Sequence, residues 1–291
     1  MKKSFALAAV AILSWSTVAT IVKLLLGSLS SIQVLSFSAF FAFLFLLIFN
    51  IASGNIKKLK SYTAKDYITT ILIGLPGTFF YYLFYYAGTA RMEASVAFII
   101  NYLWPIMSIV FACIILKEKV TPRKVIAVLM SFLGVVIVMG ADFKNMNRTM
   151  LIGAGLCVLG AVSYGIYTAL NQKKSYDKKL SMMFYYFVTF VLTSIINIAT
   201  NNVPHIEPIQ ILGFAWNGIV TMAIANTAWM IALESGKTAK ISNLAYVTPF
   251  LSLIWTALIL KEKIGLSSIL GLAVIVLGIL IQLKDKKEKI E

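Results

Sequence analysis

The chain of 291 residues is predicted to be an all-α polytopic membrane protein, with ten transmembrane helices in two inverted five-helix repeats. Three features lead there. The composition is 60% hydrophobic and only 13% charged, with a mean hydropathy of +0.89, which separates it from soluble domains. Apolar stretches long enough to cross a bilayer core, about 20 residues each, alternate with short lysine-bearing loops along the whole sequence. And the phrase YLWPIMSIVFACIILKEKV at 102–120 returns as YVTPFLSLIWTALILKEKI at 246–264.

The expected spans run over 4–26, 31–50, 67–87, 94–116, 122–140, 150–170, 181–200, 210–233, 238–260 and 265–283. The first follows Lys2 and Lys3, but its apolar run is longer than that of a signal peptide and no small-x-small cleavage site follows it. Continuous apolarity, without strand alternation, argues against a membrane β-barrel. A net charge of +15 on a soluble surface would suggest nucleic acid. Here the basic residues follow the loops instead, so no nucleic-acid partner is expected. With both termini in the cytoplasm, the inner segments carry most of them, including Lys57, Lys58, Lys60, Lys173, Lys174, Lys178, Lys179, Lys237, Lys240 and the C-terminal lysines. Arg91, Lys144, Arg148, Lys261 and Lys263 fall outside, and Lys23 alone sits within a span. That asymmetry obeys the positive-inside rule and suits a bacterial cytoplasmic membrane.

A constant register pairs Tyr102 with Tyr246, Pro105 with Pro249, Ser108 with Ser252, the Leu-Lys-Glu-Lys block at 116–119 with 260–263, and, upstream, Gly74 with Gly218. Each copy, 1–140 and 141–291, holds five spans. An odd number sends the second copy into the membrane from the opposite side, so the two blocks end on opposite faces. Inverted repeats of this kind build alternating-access carriers, whose site lies near the midplane where the copies meet.

These residues resemble the EamA-type members of the drug/metabolite transporter superfamily over the whole chain. More narrowly, WST at 15–17 with Lys23, NYLWP at 101–105, and Trp229, Gly236, Tyr246, Thr248 and Pro249 resemble the YddG-type aromatic amino acid exporters. The resemblance implies outward transport, amino acids or related amphipathic metabolites as substrate, and a basic residue in the position of Lys23.

The residues themselves supply a candidate pathway. Pro105 lacks an N–H and frees the carbonyl of Asn101, while Asn101, Trp104 and Ser108 share a helical face. The ninth span repeats this with Pro249 and Tyr246, with Asn243 nearby. Pro105 and Pro249 are therefore expected to kink their helices. The register pairs Tyr82 with Asn226 and Tyr85 with Trp229, and the expected substrate site is Asn101, Trp104, Tyr82, Tyr85, Asn226, Trp229 and Tyr246. The alternative reading of the aromatics is packing or interfacial anchoring. Lys23 costs about 2.5 kcal/mol or more at a helix centre, so it needs a partner, water or an exit. It either snorkels to the outer interface or pairs with a substrate carboxylate.

Every acidic residue lies in a loop, a tail or a span edge, which leaves no midplane carboxylate to carry a proton or sodium. Cys113 and Cys157 read as packing residues, His205 as a turn residue, and Gly153, Gly155, Gly160 and Gly165 as sites of close helix approach. No phosphate loop, metal-ligand set or nucleophile with a base is present, so neither enzyme activity, a metal nor a cofactor is expected. Membrane lipids and a small-molecule substrate are the expected partners; the oligomeric state is left open. The rival readings are a multidrug or quaternary-amine transporter using the aromatics as a cation cage, and a non-transporting receptor or scaffold.

Overall fold

A computed structural model describes residues 2–140, 147–173, 176–201, 205–233 and 244–287. Asp142, Lys144, Lys174, Gly236, Lys237, Lys240, Asn243 and the start of the ninth expected span at 238–243 lie outside them. Every regular element among the described residues is helical. Eight are long and apolar enough to cross a membrane, and two further apolar helices, Ala245–Ile259 and Leu266–Ile281, are shorter over the described residues. Ile48, Leu129, Ile198 and Leu212 are more than half exposed, an arrangement that water would penalise and lipid tails accept.

The first span is two helices, α1 (Lys2–Ser16) and α2 (Val18–Leu25), broken at Thr17, whose hydroxyl turns back to donate to the carbonyl of Ser14. Next come α3 (Ser31–Ala52), then α4 (Ala64–Gly74) and α5 (Tyr81–Thr89), which are continuous through a π-helical stretch at Leu75–Phe80. Capping boxes start two of these helices: Ser30 with Gln33 for α3, and Thr63 with Asp66 for α4. The fourth span divides into α6 (Ala94–Asn101) and α7 (Trp104–Ile115), and α8 (Pro122–Gly140) follows. The second half contains α9 (Arg148–Lys173), α10 (Lys178–Ala199), α11 (Pro208–Ala215) and α12 (Ala225–Leu233), the last two joined by a π-helical stretch at Trp216–Ile224. A short 3₁₀ turn at Ala245–Val247 leads into α13 (Thr248–Ile259), and α14 (Leu266–Lys287) ends the described chain.

Pro105 and Pro249 stand in the first turns of α7 and α13, one residue inside the helix start. The expected kinks are therefore breaks: a proline has no donor to give the preceding turn, and a first helical turn needs none.

Structural details recur in the register of the repeat. α7 and α13 both end with a lysine in the left-handed region, Lys117 at φ 56° and Lys261 at φ 60°. In each, the glutamate that follows donates its N–H back to the carbonyl six residues earlier, Glu118 to Ala112 and Glu262 to Thr256. A left-handed position after a helix normally goes to glycine, and a side chain there costs roughly 1–2 kcal/mol. Packing recurs as well. α3 lies on α10; α5 lies on α9 as α12 lies on α1; α8 pairs with α14. A Cβ on Gly74 would meet the Tyr185 ring at 2.1 Å, and one on Gly218 would meet the Ser38 carbonyl at 2.2 Å and the Phe41 Cβ at 2.8 Å. The glycines let the third and eighth spans sit directly on α10 and α3. Of the four glycines expected to pack on α9, Gly153, Gly160 and Gly165 do, while Gly155 faces open space. Cys157 is buried against Gly88, but Cys113 is half-exposed and takes the ammonium of Lys124 at 3.5 Å.

Candidate functional site

An internal cavity of about 200 Å³ lies where both halves meet, reached by the break in the fourth span. Asn101 is the last residue of α6 and Trp104 the first of α7, so the break presents both to the void. α5 contributes Tyr82 and Tyr85, and α12 contributes Asn226 and Trp229. The structure thus brings together these six of the residues singled out from the sequence. Tyr246 is half-buried against the core but is not in the wall.

Lys23 is also absent from the wall. Its ammonium neither snorkels free nor reaches the cavity; it donates to the carbonyls of Thr89 at 2.9 Å and Met92 at 2.5 Å. Thr89 closes α5, so the cation sits at a helix C-terminus, where unpaired carbonyls and the helix dipole favour it.

Sequence reasoning did not assign Tyr81, Phe98, Tyr102, Tyr164 and Thr168 to the wall, and it noted Trp15 and Thr248 without placing them there. Some signal existed: Phe98 is three residues before Asn101 and Thr168 four after Tyr164, which are same-face spacings. The aromatics lean on one another. Trp15 and Trp229 lie 5.3 Å apart between centroids, Trp104 and Tyr164 5.1 Å, and Tyr81 and Tyr164 4.8 Å. Trp104 stands edge-on to Tyr164 and the other two pairs are tilted, contacts that fix ring orientation without hydrogen bonds.

Polar groups in the wall are oriented by hydrogen bonds both within it and to residues behind it. The Asn101 amide donates to the Tyr81 hydroxyl at 2.9 Å, and the Asn226 amide donates to the Tyr186 hydroxyl at 3.1 Å and the Met222 carbonyl at 2.6 Å. The Tyr102 hydroxyl, at the break, donates to the Ala245 carbonyl of the other half at 2.9 Å. Ser108, on the same helical face, donates its hydroxyl to the Trp104 carbonyl at 2.8 Å. Three wall residues retain buried polar atoms without a hydrogen-bond partner: Tyr85 Oη, Asn101 Oδ1 and Thr248 Oγ1. An unpaired buried polar atom costs about 1–3 kcal/mol, so these are points where a polar guest would be gained cheaply. No charged side chain stands in the wall among the described residues.

A larger groove, about 1080 Å³, opens between α2 and α11, with His205 and Glu207 at its edge. Its apolar walls include Leu24, Leu212 and Trp216, all substantially exposed.

Comparison with known proteins agrees with this architecture. The EamA-like transporter family matches residues 2–140 and again 151–283. An uncharacterized transporter of Archaeoglobus fulgidus is 25% identical over 231 residues, covering 76% of this chain and 79% of its own. The aromatic amino acid exporter YddG of Ancylobacter novellus is 24% identical over 189 residues, 62% of this chain and 63% of that one. An uncharacterized transporter of Clostridium kluyveri is 23% identical over 270 residues, 90% of this chain and 86% of its own. One solved crystal structure matches with a TM-score of 0.70 over 97% of this chain and 96% of its own, at 20% identity, a likeness of fold. Matched by the family in both halves, the chain belongs to the EamA-like transporters and is an integral membrane protein that moves a small molecule across its bilayer.

Proposed function

We propose that this transporter exports an amino acid or a closely related amphipathic metabolite by alternating access, with ten helices in two inverted repeats, 1–140 and 141–291, and both termini in the cytoplasm. The bacterial cytoplasmic membrane is its proposed location. One observation carries the substrate reading: a small, charge-free, aromatic-walled cavity with an amide from each half, Asn101 and Asn226. A volume of about 200 Å³ lies below the ~300–1,000 Å³ of drug-sized sites. A zwitterion has no net charge and needs no countercharge in the wall. Its ammonium would meet aromatic faces and the Asn101 carbonyl oxygen; its carboxylate would meet the Tyr85 and Thr248 hydroxyls. A free anion would find no cation there. The relation to an aromatic amino acid exporter supports the same class.

The aromatic wall without an acidic or basic side chain also favours a second reading, a quaternary amine held by ring faces alone. Counterflow separates the two. Proteoliposomes preloaded with unlabelled phenylalanine should accumulate labelled phenylalanine, while liposomes preloaded with choline should not accumulate labelled choline. Choline exchange without phenylalanine exchange would replace the amino acid reading with the amine one.

A further inference from the structure

The LKEK block that ends α13 ties the two halves of the chain together. After α7, the Glu118 carboxylate takes the ammonium of Lys124 at 2.9 Å, six residues on, in its own half. After α13, the Glu262 carboxylate crosses to the other half and accepts the N–H of Ala94 at 2.6 Å with one oxygen and the N–H of Ser95 at 2.9 Å with the other. It thereby caps α6, the short helix that ends at Asn101. The left-handed turn at Lys261 sends the backbone back so that Glu262 points there.

The turn between α5 and α6 is consequently held from both sides. Its carbonyls at Thr89 and Met92 bind the Lys23 ammonium, and its leading amides bind the Glu262 carboxylate. Lys23 belongs to the same half as the turn; only Glu262 comes from the other. Charge-assisted bonds of this kind are the strong ones, and a carboxylate with two amide partners leaves no slack. The two halves are thus tied twice along α6, at Glu262 and, one helix length away, at Tyr102 with the Ala245 carbonyl. Ala94 and Ser95 are sealed, 0% and 1% exposed.

We propose that Glu262 is a positioning residue of the transport cycle: its carboxylate latches α6 to α13, closes the cavity toward that end, and releases Ala94 and Ser95 each time the path opens there. Lys23 stays with its turn and keeps the α5 C-terminus intact while α13 moves. The proposal rests on the alternating-access reading, and Glu118, which pairs with Lys124 while Ala94 and Ser95 bond to Glu262, serves as the control variant.

Two measurements on the full chain in proteoliposomes test it. In a Cys113→Ser background, a Ser95→Cys, Glu262→Cys pair joined by a short bis-maleimide should stop labelled phenylalanine exchange, whereas each single variant treated alike should keep its own untreated rate. A joined protein that exchanges at the unjoined rate would overturn the latch. Independently of any substrate, the alkylation rate of Ser95→Cys by a membrane-impermeant maleimide should rise about tenfold or more when Glu262→Gln is added, the scale of losing a charged hydrogen bond. It should stay unchanged with Glu118→Gln. Equal rates with and without Glu262→Gln would mean a static cap. Wild-type exchange in the same vesicles reports on the transport reading separately, so either idea can fail alone.

Discussion

Asp177 stands just before α10, and its carboxylate has two duties. One oxygen accepts the N–H groups of Lys179 and Leu180, capping the helix, and the other pairs with Lys58 at 2.5 Å. Partial burial pushes its pKa up, but the Lys58 ammonium and the two amides outweigh that and hold the carboxyl below its usual range. A depressed folded-state value contributes stability in full above the unfolded-state value, about 3.9, and loses it as pH falls through the folded one. At neutral pH, Asp177→Ala should cost about 1 kcal/mol, the usual worth of a cap. Lys58→Ala should cost less, since the lysine is 55% exposed and a surface ion pair brings ~0–1 kcal/mol. Thermal unfolding in detergent, followed by tryptophan fluorescence, should give a wild-type advantage over Asp177→Ala that is constant above about pH 5 and shrinks below about pH 4. An advantage that persists undiminished at low pH would mean that the carboxylate is not what caps α10. At this scale much of the cavity was legible: Asn101, Trp104, Tyr82, Tyr85, Asn226 and Trp229 all follow from the proline break and the repeat register. Lys23 was not, because its partners are backbone carbonyls 66 and 69 residues away, and main-chain acceptors leave no mark in a sequence.

Among the elements, the breaks matter more than the helices. Apolar runs located the spans, yet the division of the first span at Thr17 has no proline to announce it, and the two π-helical stretches have no common signature. Leu75–Phe80 contains Pro76, which removes one ladder donor, whereas in Trp216–Ile224 the Thr221 hydroxyl turns inward to bond both the carbonyl and the side chain of Asn217. The glycines that precede or lie within these stretches differ in what they touch. Gly218 rests on a main-chain carbonyl and Gly74 on a tyrosine ring. A ring can turn, but a helix backbone cannot retreat alone. Gly218→Ala should therefore lower the apparent melting temperature in detergent more than Gly74→Ala, with a destabilisation of about 1–3 kcal/mol. Equal losses would place the tight fit in the side chains of α3 instead of its backbone.

At the scale of the molecule, the duplicated phrase is expressed as duplicated geometry, down to the left-handed lysines and reciprocal helix packing. Duplication could be read because proline, glycine and the LKEK block are too specific to arise from apolar composition. The reach of Glu262 to the Ala94 and Ser95 amides could not, since main-chain donors 168 and 167 residues away leave no mark in a sequence. Function follows the same division: family and membrane placement come from the whole chain, and the proposed cargo rests on one cavity. The most direct test of that cavity is phenylalanine counterflow in proteoliposomes containing wild type, Trp104→Ala or Asn101→Ala at equal protein content. Trp104→Ala should reduce exchange at least about tenfold, as the loss of an aromatic wall worth on the order of 1.4 kcal/mol implies, and Asn101→Ala should raise the half-saturating phenylalanine concentration. Wild-type exchange that both variants reproduce in rate and half-saturation would mean that the substrate passes elsewhere.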